Sequence, residues 1–461
     1  MNIDAIKAVY FVGAGGIGMS ALVRYFLSLG KVVAGYDRTP SVLTERLNAE
    51  GAAIHYEDDC ALIPADCKDQ AHTLVVYTPA VPADHSELTW FREQGFEIQK
   101  RAQVLGTITR SRRGLCVAGT HGKTTTSSMA AHLIYNSHVG ATAFLGGISQ
   151  NYGTNLLLTD KSDYVVIEAD EFDRSFHQLR PYMSVITSTD PDHLDIYGTP
   201  EAYWESFEHD TSLIDAEGAL IIHEGLEITP RLQPGVRTYT YSRERGDYHA
   251  ENIRIGGGEI VFDFVSPQGV VKDIALGVPL SINIDNGIAA MAMAQLCGVT
   301  DEELREGMAS FRGVERRFDF KLKTPTKVFL SDYAHHPAEI RQSALSIREL
   351  YAGRKVTVIF QPHLYSRTHD FYREFAESLS LFDEVILTEI YPAREEPIPG
   401  VTSALIYDNL DARVQRSMIR KSEVLATVEA KKEELEVLVS LGAGDIENYA
   451  SQITEILKTT L

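Results

Sequence analysis

The feature that most constrains this chain is a strand, a glycine-rich loop and a helix in succession, which occurs twice. The apolar run at residues 8–12 leads into Gly13-x-Gly15-x-x-Gly18 and then into a helical pattern. A second apolar run at residues 115–118 leads into Gly119-Thr120-His121-Gly122-Lys123-Thr124 and another helical pattern. Alternating strands and helices favour a parallel sheet that is covered by helices. We therefore predict an α/β fold.

The length and the order of the patterns predict three domains. A chain of 461 residues has room for three cores at roughly 150 residues per domain. We expect a Rossmann-like N-terminal domain at 1–110, a central P-loop ATPase-type domain at 111–314 and a Rossmann-like C-terminal α/β domain at 315–461. The glycine-punctuated β runs at 239–276 predict antiparallel hairpins, so the central sheet should be mixed. The basic stretch at 110–113 is the expected first linker.

Composition excludes several classes of protein. The formal net charge of −21 repels phosphate backbones, so no nucleic-acid partner is expected. The four cysteines form no C-x-x-C pair, which argues against a zinc site or a disulfide framework. The chain has no apolar run of about 18 residues that could span a membrane. Its acidic start lacks the basic region of a secretory signal, so we expect a cytoplasmic protein.

The first glycine loop is compatible with a bound diphosphate. Its glycines let the backbone approach a pyrophosphate at the N-terminus of a helix, and Asp37 ends the next predicted strand, where a ribose-binding acid belongs. Taken alone, the loop predicts a nicotinamide or flavin enzyme. A nucleotide diphosphate substrate satisfies the same physics, and a tight turn that binds nothing is the third alternative.

The second glycine loop is more informative because Gly-Lys-Thr between a strand and a helix is typical of ATP sites. Such a loop offers backbone N–H groups, the Lys123 ammonium for the β- and γ-phosphates and the Thr124 hydroxyl for Mg²⁺. It departs from the full Walker A pattern because Val117 stands where a glycine is expected. We interpret it as a shortened P-loop; the alternative is the capped start of an ordinary helix.

Two acidic clusters follow the ends of later strands, at residues 168–173 and 190–195. A P-loop needs a carboxylate to help hold Mg²⁺, and Glu168 comes first after its strand. His193 is the candidate ligand of a second Mg²⁺. The alternative is that both clusters are solvated turns, a reading that is about as good for Asp173 and Asp192 individually.

The third domain carries two polar loops, each between a strand and a helix, at residues 332–337 and 361–367. His335, His363 and Arg367 would form a cationic patch suited to an adenylate ribose, a carboxylate or a phosphate. Either histidine alone is better explained as a cap or a turn residue. Together with a diphosphate loop and an ATP loop, these residues suggest ligation, in which phosphoryl transfer activates a carboxylate for attack by an amine.

This combination resembles the Mur ligase family of peptidoglycan synthesis over essentially the whole chain. The resemblance is carried by motifs in a fixed order: residues 13–20, 119–126, 168–171, 192–195, 316–318, 332–337, 360–363, 391–393 and 442–445. It implies a ligase that uses ATP and Mg²⁺ (or Mn²⁺) to join L-alanine to the lactyl carboxylate of UDP-N-acetylmuramate through an acyl phosphate. It further implies a monomer or weak homodimer, with no membrane span.

The resemblance also implies roles for individual residues. The catalytic residues would be Lys123, His193, His335 and Arg367, and the metal ligands would be Thr124, Glu168 and His193. ATP would be bound by Gly119, Thr120, His121, Gly122, Lys123, Thr124, Thr125, Asn283, Asn286, Arg317 and Asp332. The UDP-sugar would be bound by Gly15, Gly16, Ile17, Gly18, Asp37, Thr78 and His121, and the amino acid by Tyr333, His335, His363 and Arg367.

Three positions depart from the family pattern. Ile282 stands where a histidine is usual, and Leu364 stands where some relatives have a second arginine. The chain also has no lysine between Lys161 and Lys272, where several relatives carry a carbamylated lysine; Glu205 or Glu208 is the candidate substitute.

Three other functions remain open from the sequence. The same loops would serve a recycling ligase that joins a ready-made tripeptide to the same UDP-sugar. An NAD-dependent nucleotide-sugar oxidoreductase would use the first glycine loop instead, and a non-catalytic ATP-binding module would bind nucleotide without turnover.

Overall fold

The computed structural model describes residues 3–78, 80–82, 84–315, 317–393 and 395–460. By its internal packing the chain forms two units, each compact in itself. The first comprises residues 1–251, 263–274 and 285–311, and the second comprises residues 252–262, 275–284 and 312–461.

The N-terminal part of the first unit is a five-stranded parallel sheet in the order β3-β2-β1-β4-β5. Its strands are β1 (Ala8–Val12), β2 (Val32–Tyr36), β3 (Ala53–His55), β4 (Thr73–Tyr77) and β5 (Glu97–Lys100). Its helices are α1 (Ile17–Ser28), α2 (Val42–Ala49), α3 (Ser86–Glu93) and α4 (Arg101–Ser111). All five residues of β1 are buried, as expected for a central strand covered on both faces. The predicted Rossmann-like order is confirmed here.

The rest of the first unit contains a seven-stranded sheet in the order β12-β11-β10-β6-β9-β7-β8. Its strands are β6 (Arg113–Ala118), β7 (Thr142–Phe144), β8 (Leu156–Leu157), β9 (Tyr164–Glu168), β10 (Pro181–Ile186), β11 (Ala219–His223) and β12 (Arg237–Tyr241). The helices along this stretch are α5 (Lys123–Asn136), α6 (Leu194–Tyr197) and α7 (Pro200–Thr211), and after the hairpins come α8 (Ile282–Leu296) and α9 (Asp301–Ser310). Only β8 runs antiparallel to its neighbour, so the predicted mixed sheet is confirmed.

The predicted linker at 110–113 is wrong. Helix α4 continues to Ser111 and β6 begins at Arg113, which leaves Arg112 alone between them. The polar, basic character that suggested a loop belongs to the last turn of a helix, where cations favour the negative end of the helix dipole.

The predicted hairpins form a separate three-stranded sheet in the order β13-β14-β15. These strands are β13 (His249–Gly256), β14 (Glu259–Ser266) and β15 (Gly269–Ala275). Two residues join each consecutive pair, and a connection that short requires antiparallel strands.

The C-terminal sheet has six strands in the order β16-β17-β21-β18-β19-β20, with only β16 antiparallel to its neighbour. Its strands are β16 (Asp319–Lys323), β17 (Val328–Asp332), β18 (Val356–Phe360), β19 (Glu384–Leu387), β20 (Gln415–Met418) and β21 (Val437–Leu441). Its helices are α10 (Pro337–Leu350), α11 (Tyr365–Leu379), α12 (Ala404–Tyr407), α13 (Val424–Lys431) and α14 (Ala450–Lys458). Since β17, β21 and β18 are adjacent and parallel, the loops that follow them meet at one edge.

None of the helices in the described ranges combines the length and the apolar character needed to cross a lipid bilayer.

Candidate functional site

The second glycine loop joins β6 to α5 and depends on its glycines. Gly119 has φ +137° and Gly122 has φ +83°, which are backbone conformations that side chains oppose. A Cβ on Gly119 would lie 2.0 Å from the Thr187 Oγ1 atom, and one on Gly122 would lie 2.7 Å from the Asn286 Oδ1 atom. The loop is also tied to the end of β10, because the backbone N–H of His121 donates to the Ser188 hydroxyl at 2.8 Å. This gives a fixed turn at the N-terminus of a helix, as phosphate binding requires.

Lys123 begins α5 and is folded back onto its own loop. Its ammonium donates to the Gly119 carbonyl at 2.6 Å and to the Thr120 carbonyl at 3.3 Å. It also lies 2.7 Å and 2.9 Å from the two carboxylate oxygens of Glu171. The lysine that the sequence assigns to the phosphates is thus fully paired within the protein.

Glu171 is a functional candidate that the sequence reasoning did not assign. Its side chain is only 3% exposed, and burial raises the pKa of its carboxyl while the Lys123 ammonium opposes that rise. A left-handed turn at Asp173 and Arg174, with φ of 48° and 60°, follows after Phe172. Nothing in the spacing of the acidic cluster shows that Glu171 contacts the lysine.

The predicted metal ligands Thr124 and Glu168 lie together. The Thr124 hydroxyl donates to one oxygen of Glu168 at 3.1 Å. The other oxygen, Oε2, is buried and has no hydrogen-bond partner among the residues that the structure describes. A Cβ on Gly146 would lie 1.8 Å from that oxygen, so only glycine leaves it room. Oxygen donors with a spare buried lone pair suit Mg²⁺, and these residues fit such an ion.

His193 lies beside Glu171 and Asp192, with its Nε2 atom 3.9 Å and 3.8 Å from their carboxylates. The acids between the two motifs are engaged elsewhere: Asp170 pairs with Arg101 at 3.3 Å and Asp173 with Lys100 at 3.2 Å. Of the acidic cluster at 168–173, Glu168 and Glu171 therefore face the loop of Lys123.

The first glycine loop and Glu168, the predicted metal ligand, line the same cleft, which has a volume of about 260 Å³. The N-terminal sheet contributes four of the predicted UDP-sugar residues, Gly16, Ile17, Gly18 and Thr78, together with Arg101. The central sheet contributes Phe144, Gly146, Glu168 and Asp170. A ligand with a diphosphate at the glycine loop could thus present another group to Glu168.

Asp37, Gly15 and His121 are not among the residues that line this cleft. The Asp37 carboxylate instead accepts the backbone N–H of Gly15 at 2.6 Å and so shapes the glycine loop itself. Asp37 is therefore observed in a supporting contact, while its role towards a nucleotide stays a prediction.

Asn155 is a fully buried residue that the sequence reasoning missed, and it joins the two sheets of the first unit. Its Nδ2 atom donates to the Ile17 carbonyl at 2.6 Å and to the Ser20 hydroxyl at 2.9 Å. Its Oδ1 atom accepts from Arg24 at 2.5 Å. Because all three partners belong to α1, Asn155 fixes the first glycine loop against the central sheet. No sequence signal marks a lone asparagine in a glycine-rich loop for this task.

The proposed nucleotide residues fall in both units. In the first unit, the Asn286 amide oxygen accepts the Thr126 hydroxyl at 3.1 Å and packs on Gly122. In the second unit, Asn283 is buried and donates to the Val278 carbonyl at 3.1 Å. Both side chains are therefore held in place by the protein.

Asp332 ends β17 and accepts a hydrogen bond from the Ser343 hydroxyl. Burial raises the pKa of its carboxyl, and the charge of Arg317 opposes that rise. Arg316, which belongs to the same motif as Arg317, lies outside the described residues.

The predicted amino-acid residues are brought together at the edge where β17 and β18 end. The ring centroid of His335 lies 5.1 Å from that of Tyr333 and 5.8 Å from that of His363. Burial lowers the pKa of His335, and the nearby positive charge of Arg367 lowers it further. The Nη1 atom of Arg367 is buried and has no hydrogen-bond partner within the described ranges. A buried, unpaired guanidinium nitrogen suits a ligand carboxylate.

Glu395 supports this arrangement and was also missed. Its carboxylate accepts the backbone N–H of Ser366 at 3.0 Å as well as the Ser366 hydroxyl, and these bonds hold its pKa below the ordinary value. It therefore caps the first turn of α11, which carries Arg367. Leu364, one of the departures from the family pattern, has φ +72° and bonds through its N–H to the Tyr391 carbonyl at 2.9 Å.

Glu205 and Glu208, the candidate substitutes for a carbamylated lysine, lie on α7 and face Arg231. Its guanidinium is 3.6 Å from Glu205 and 2.7 Å from Glu208, and the Glu205 side chain is 68% exposed. The structure thus places both acids in a surface ion pair.

Comparison with known proteins gives matches along the whole chain. Residues 8–113 match the Mur ligase family catalytic domain, residues 117–294 the Mur ligase middle domain and residues 316–446 the Mur ligase glutamate ligase domain. The chain is 67% identical over 457 residues to the UDP-N-acetylmuramate–L-alanine ligase of Phocaeicola vulgatus, with 99% of each chain covered. It is 54% identical to that of Porphyromonas gingivalis, covering 98% of this chain and all of the relative.

Solved structures agree. The UDP-N-acetylmuramate–alanine ligase of Thermotoga maritima superimposes with a TM-score of 0.81 at 28% identity, covering 98% of this chain and 100% of that one. A murein peptide ligase from Psychrobacter arcticus shares the fold, with a TM-score of 0.65 at 20% identity and 99% of each chain covered.

Proposed function

Because the chain belongs to the Mur ligase family, we propose that it joins L-alanine to the lactyl carboxylate of UDP-N-acetylmuramate, with ATP converted to ADP and phosphate. This is a step of peptidoglycan precursor synthesis, and we place it in the cytoplasm. The observation that carries the proposal is the cleft in which the first glycine loop and Glu168 face each other. It can hold a diphosphate at one end and present a carboxylate to the ATP loop at the other.

The first half of the reaction is phosphoryl transfer. The lactyl carboxylate attacks the γ-phosphorus of ATP, the bond to ADP breaks, and an acyl phosphate forms. The fixed turn at Gly119 and Gly122 offers backbone N–H groups to the phosphates, and Lys123 adds positive charge. Thr124 and Glu168 would hold Mg²⁺ (or Mn²⁺) and His193 a second ion; such ions supply further charge that neutralises the phosphate oxygens.

The second half is amide formation. Arg367 binds the carboxylate of L-alanine. The amine of L-alanine attacks the acyl carbon and gives a tetrahedral intermediate that expels phosphate. The lowered pKa of His335 keeps its imidazole neutral near pH 7, so it can accept a hydrogen bond from the amine. The neighbouring rings of Tyr333, His335 and His363 would line the space for the alanine side chain.

The test is product analysis with purified protein, ATP, Mg²⁺ and UDP-N-acetylmuramate. We expect ADP, phosphate and a nucleotide heavier by one alanyl residue when L-alanine is present, and no such product when L-alanine is omitted. A product formed only with the L-Ala-γ-D-Glu-diaminopimelate tripeptide would assign the chain to recycling instead. ATP binding without any product would contradict ligase activity.

A further inference from the structure

All three donors of the Lys123 ammonium are engaged within the protein. A lysine ammonium has three N–H bonds. Two loop carbonyls, Gly119 at 2.6 Å and Thr120 at 3.3 Å, and the Oε1 atom of Glu171 at 2.9 Å accept all three. Phosphates of ATP can therefore reach this cation only in competition with these acceptors, of which Glu171 is the charged one.

The fold holds Glu171 in this place at a cost. Its side chain is 3% exposed and that of Lys123 is 13% exposed. Both charged groups have therefore lost most of their hydration, which costs free energy. Two consecutive residues without glycine's freedom, Asp173 and Arg174, adopt left-handed backbone after the intervening Phe172. Backbone strain of this kind persists where the surrounding structure enforces it, and it clusters at functional sites.

Tyr197 fixes the turn from the opposite side. Its hydroxyl donates to the backbone carbonyl of Glu171, and the Arg174 guanidinium lies 4.6 Å from the centre of its ring. His193, which precedes α6, is a third non-glycine residue with positive φ, at 52°, and its ring lies 3.9 Å from the Glu171 carboxylate. Three non-glycine residues with left-handed backbone therefore lie near Glu171, two just after it in the chain and one, His193, beside its carboxylate.

We propose that Glu171 is a positioning residue that restrains Lys123. The lysine then contributes less to binding ATP and more to stabilising the phosphoryl group in the transition state of its transfer. This rests on the proposed function. An interaction that is equally strong in the substrate complex and in the transition state does not raise kcat. An interaction that becomes stronger when charge develops on the transferring group does raise kcat. Glu171 competes with the ground-state phosphates for the ammonium and holds it at the mouth of its own loop.

The test is Glu171→Gln, which keeps the side-chain shape and removes the charge. Affinity for AMP-PNP is measured by calorimetry, and kcat is measured by phosphate release in the complete reaction. We expect affinity to rise by about threefold to tenfold because the lysine is released to the phosphates, and kcat to fall by at least about tenfold. Glu455→Gln is the control; it removes an exposed carboxylate beside Lys458, and both quantities should stay at the wild-type value.

Unchanged affinity and unchanged kcat in Glu171→Gln would overturn the proposal. Weaker nucleotide binding at normal kcat would also overturn it, because it would mean that Glu171 only supports the loop.

Tyr197→Phe provides a second test if Glu171→Gln does not fold. It keeps the ring against Arg174 and removes the hydroxyl that holds the Glu171 carbonyl. We expect the same opposed changes at smaller size, and parallel changes in affinity and kcat would contradict the proposal. Because AMP-PNP binding needs no second substrate, the affinity measurement stands even if the proposed ligase substrates are wrong.

Discussion

The phosphate loop of the first unit and the amino-acid loops of the second unit each present a cation, but in opposite states. Lys123 has every donor satisfied by loop carbonyls and Glu171. Arg367 has a buried guanidinium nitrogen without a hydrogen-bond partner in the part of the chain that the structure describes. The lysine must exchange protein partners for phosphate, whereas the arginine gains a partner that it lacks.

This difference bears on how each region contributes to the reaction. An exchange of partners yields little net binding energy, which suits a group that acts during phosphoryl transfer. A new acceptor for a buried, unpaired N–H group yields more binding energy, because an unsatisfied buried polar group is costly. We therefore expect changes at Lys123 to affect mainly turnover, and changes at Arg367 to affect mainly the apparent affinity for L-alanine.

The largest effect is expected for Lys123→Met. It removes the cation of the phosphate loop, so turnover in the phosphate-release assay should fall by about 10³-fold or more. It also leaves Glu171 buried without its partner, which should lower the free energy of unfolding in urea by about 3 kcal/mol.

The double variant Lys123→Met with Glu171→Gln serves as the control for this prediction. It should recover most of the lost stability while remaining inactive. Near-normal turnover of Lys123→Met in a folded protein would refute the role of the lysine.

The next effect is expected for Arg367→Ala. Loss of a charge-assisted contact to the carboxylate should raise KM for L-alanine by about 100-fold, with AMP-PNP affinity unchanged. Arg373 lies on the same helix in contact with the Tyr372 ring, and Arg373→Ala is the matched control that should behave as wild type. If KM for L-alanine stays normal in Arg367→Ala, the Arg367 guanidinium does not bind the carboxylate of L-alanine.

Asp210, also in the first unit, differs from both cations because it is a buried acid without a hydrogen-bond partner among the described residues. Both of its carboxylate oxygens are buried without hydrogen bonds to the described residues, and burial raises its pKa to about 8. Burial raises the pKa of the Cys116 thiol, and the charge of Asp210 raises that pKa further. Asp210 is therefore held in its neutral form near pH 7.

A raised carboxyl pKa stabilises the fold at low pH, and that stability is lost as pH rises from about 4 through 8. In Asp210→Asn we expect a smaller decline in unfolding free energy between pH 5 and 8, by up to about 1.4 kcal/mol per pH unit relative to wild type. The measurement is urea unfolding at several pH values. Parallel curves for the two proteins would show that Asp210 is not buried in its neutral form.

The smallest effect is expected for Glu395→Gln. An amide still accepts hydrogen bonds at the start of α11 but loses the charge that favours the helix N-terminus. KM for L-alanine should rise by about threefold to fivefold while kcat changes less. The neighbouring Glu396→Gln should leave both constants unchanged; an equal effect in the two variants would point to general loss of surface charge.

Much of the fold follows from local sequence patterns. Short, mostly apolar runs predict strands at residues 32–36, 73–77 and 384–387, and the structure has strands with these bounds. The helical pattern at residues 369–381 predicts a helix, which in the structure begins earlier, with a polar first turn at Tyr365, and ends at Leu379. Likewise, the basic end of α4 suggested a linker. Periodicity finds an apolar face but not a polar first or last turn.

The site divides in the same way. Lys123 and Thr124 begin the helix after β6, and Glu168 ends β9, so motifs in the sequence suffice to find them. Glu171 and Asn155 depend on tertiary contacts: the first pairs with Lys123, and the second bonds to α1. Such contacts leave no periodic signal, so only the three-dimensional structure reveals them.

Activation of the lactyl carboxylate by phosphoryl transfer is tested most directly by tracing its oxygen atoms. UDP-N-acetylmuramate labelled with ¹⁸O in its lactyl carboxylate is incubated with the protein, ATP, Mg²⁺ and L-alanine, and the released phosphate is analysed by mass spectrometry. Transfer of the γ-phosphoryl group to the carboxylate predicts one ¹⁸O atom in each phosphate. Phosphate without label would show that ATP is hydrolysed by water, and it would contradict activation of the carboxylate.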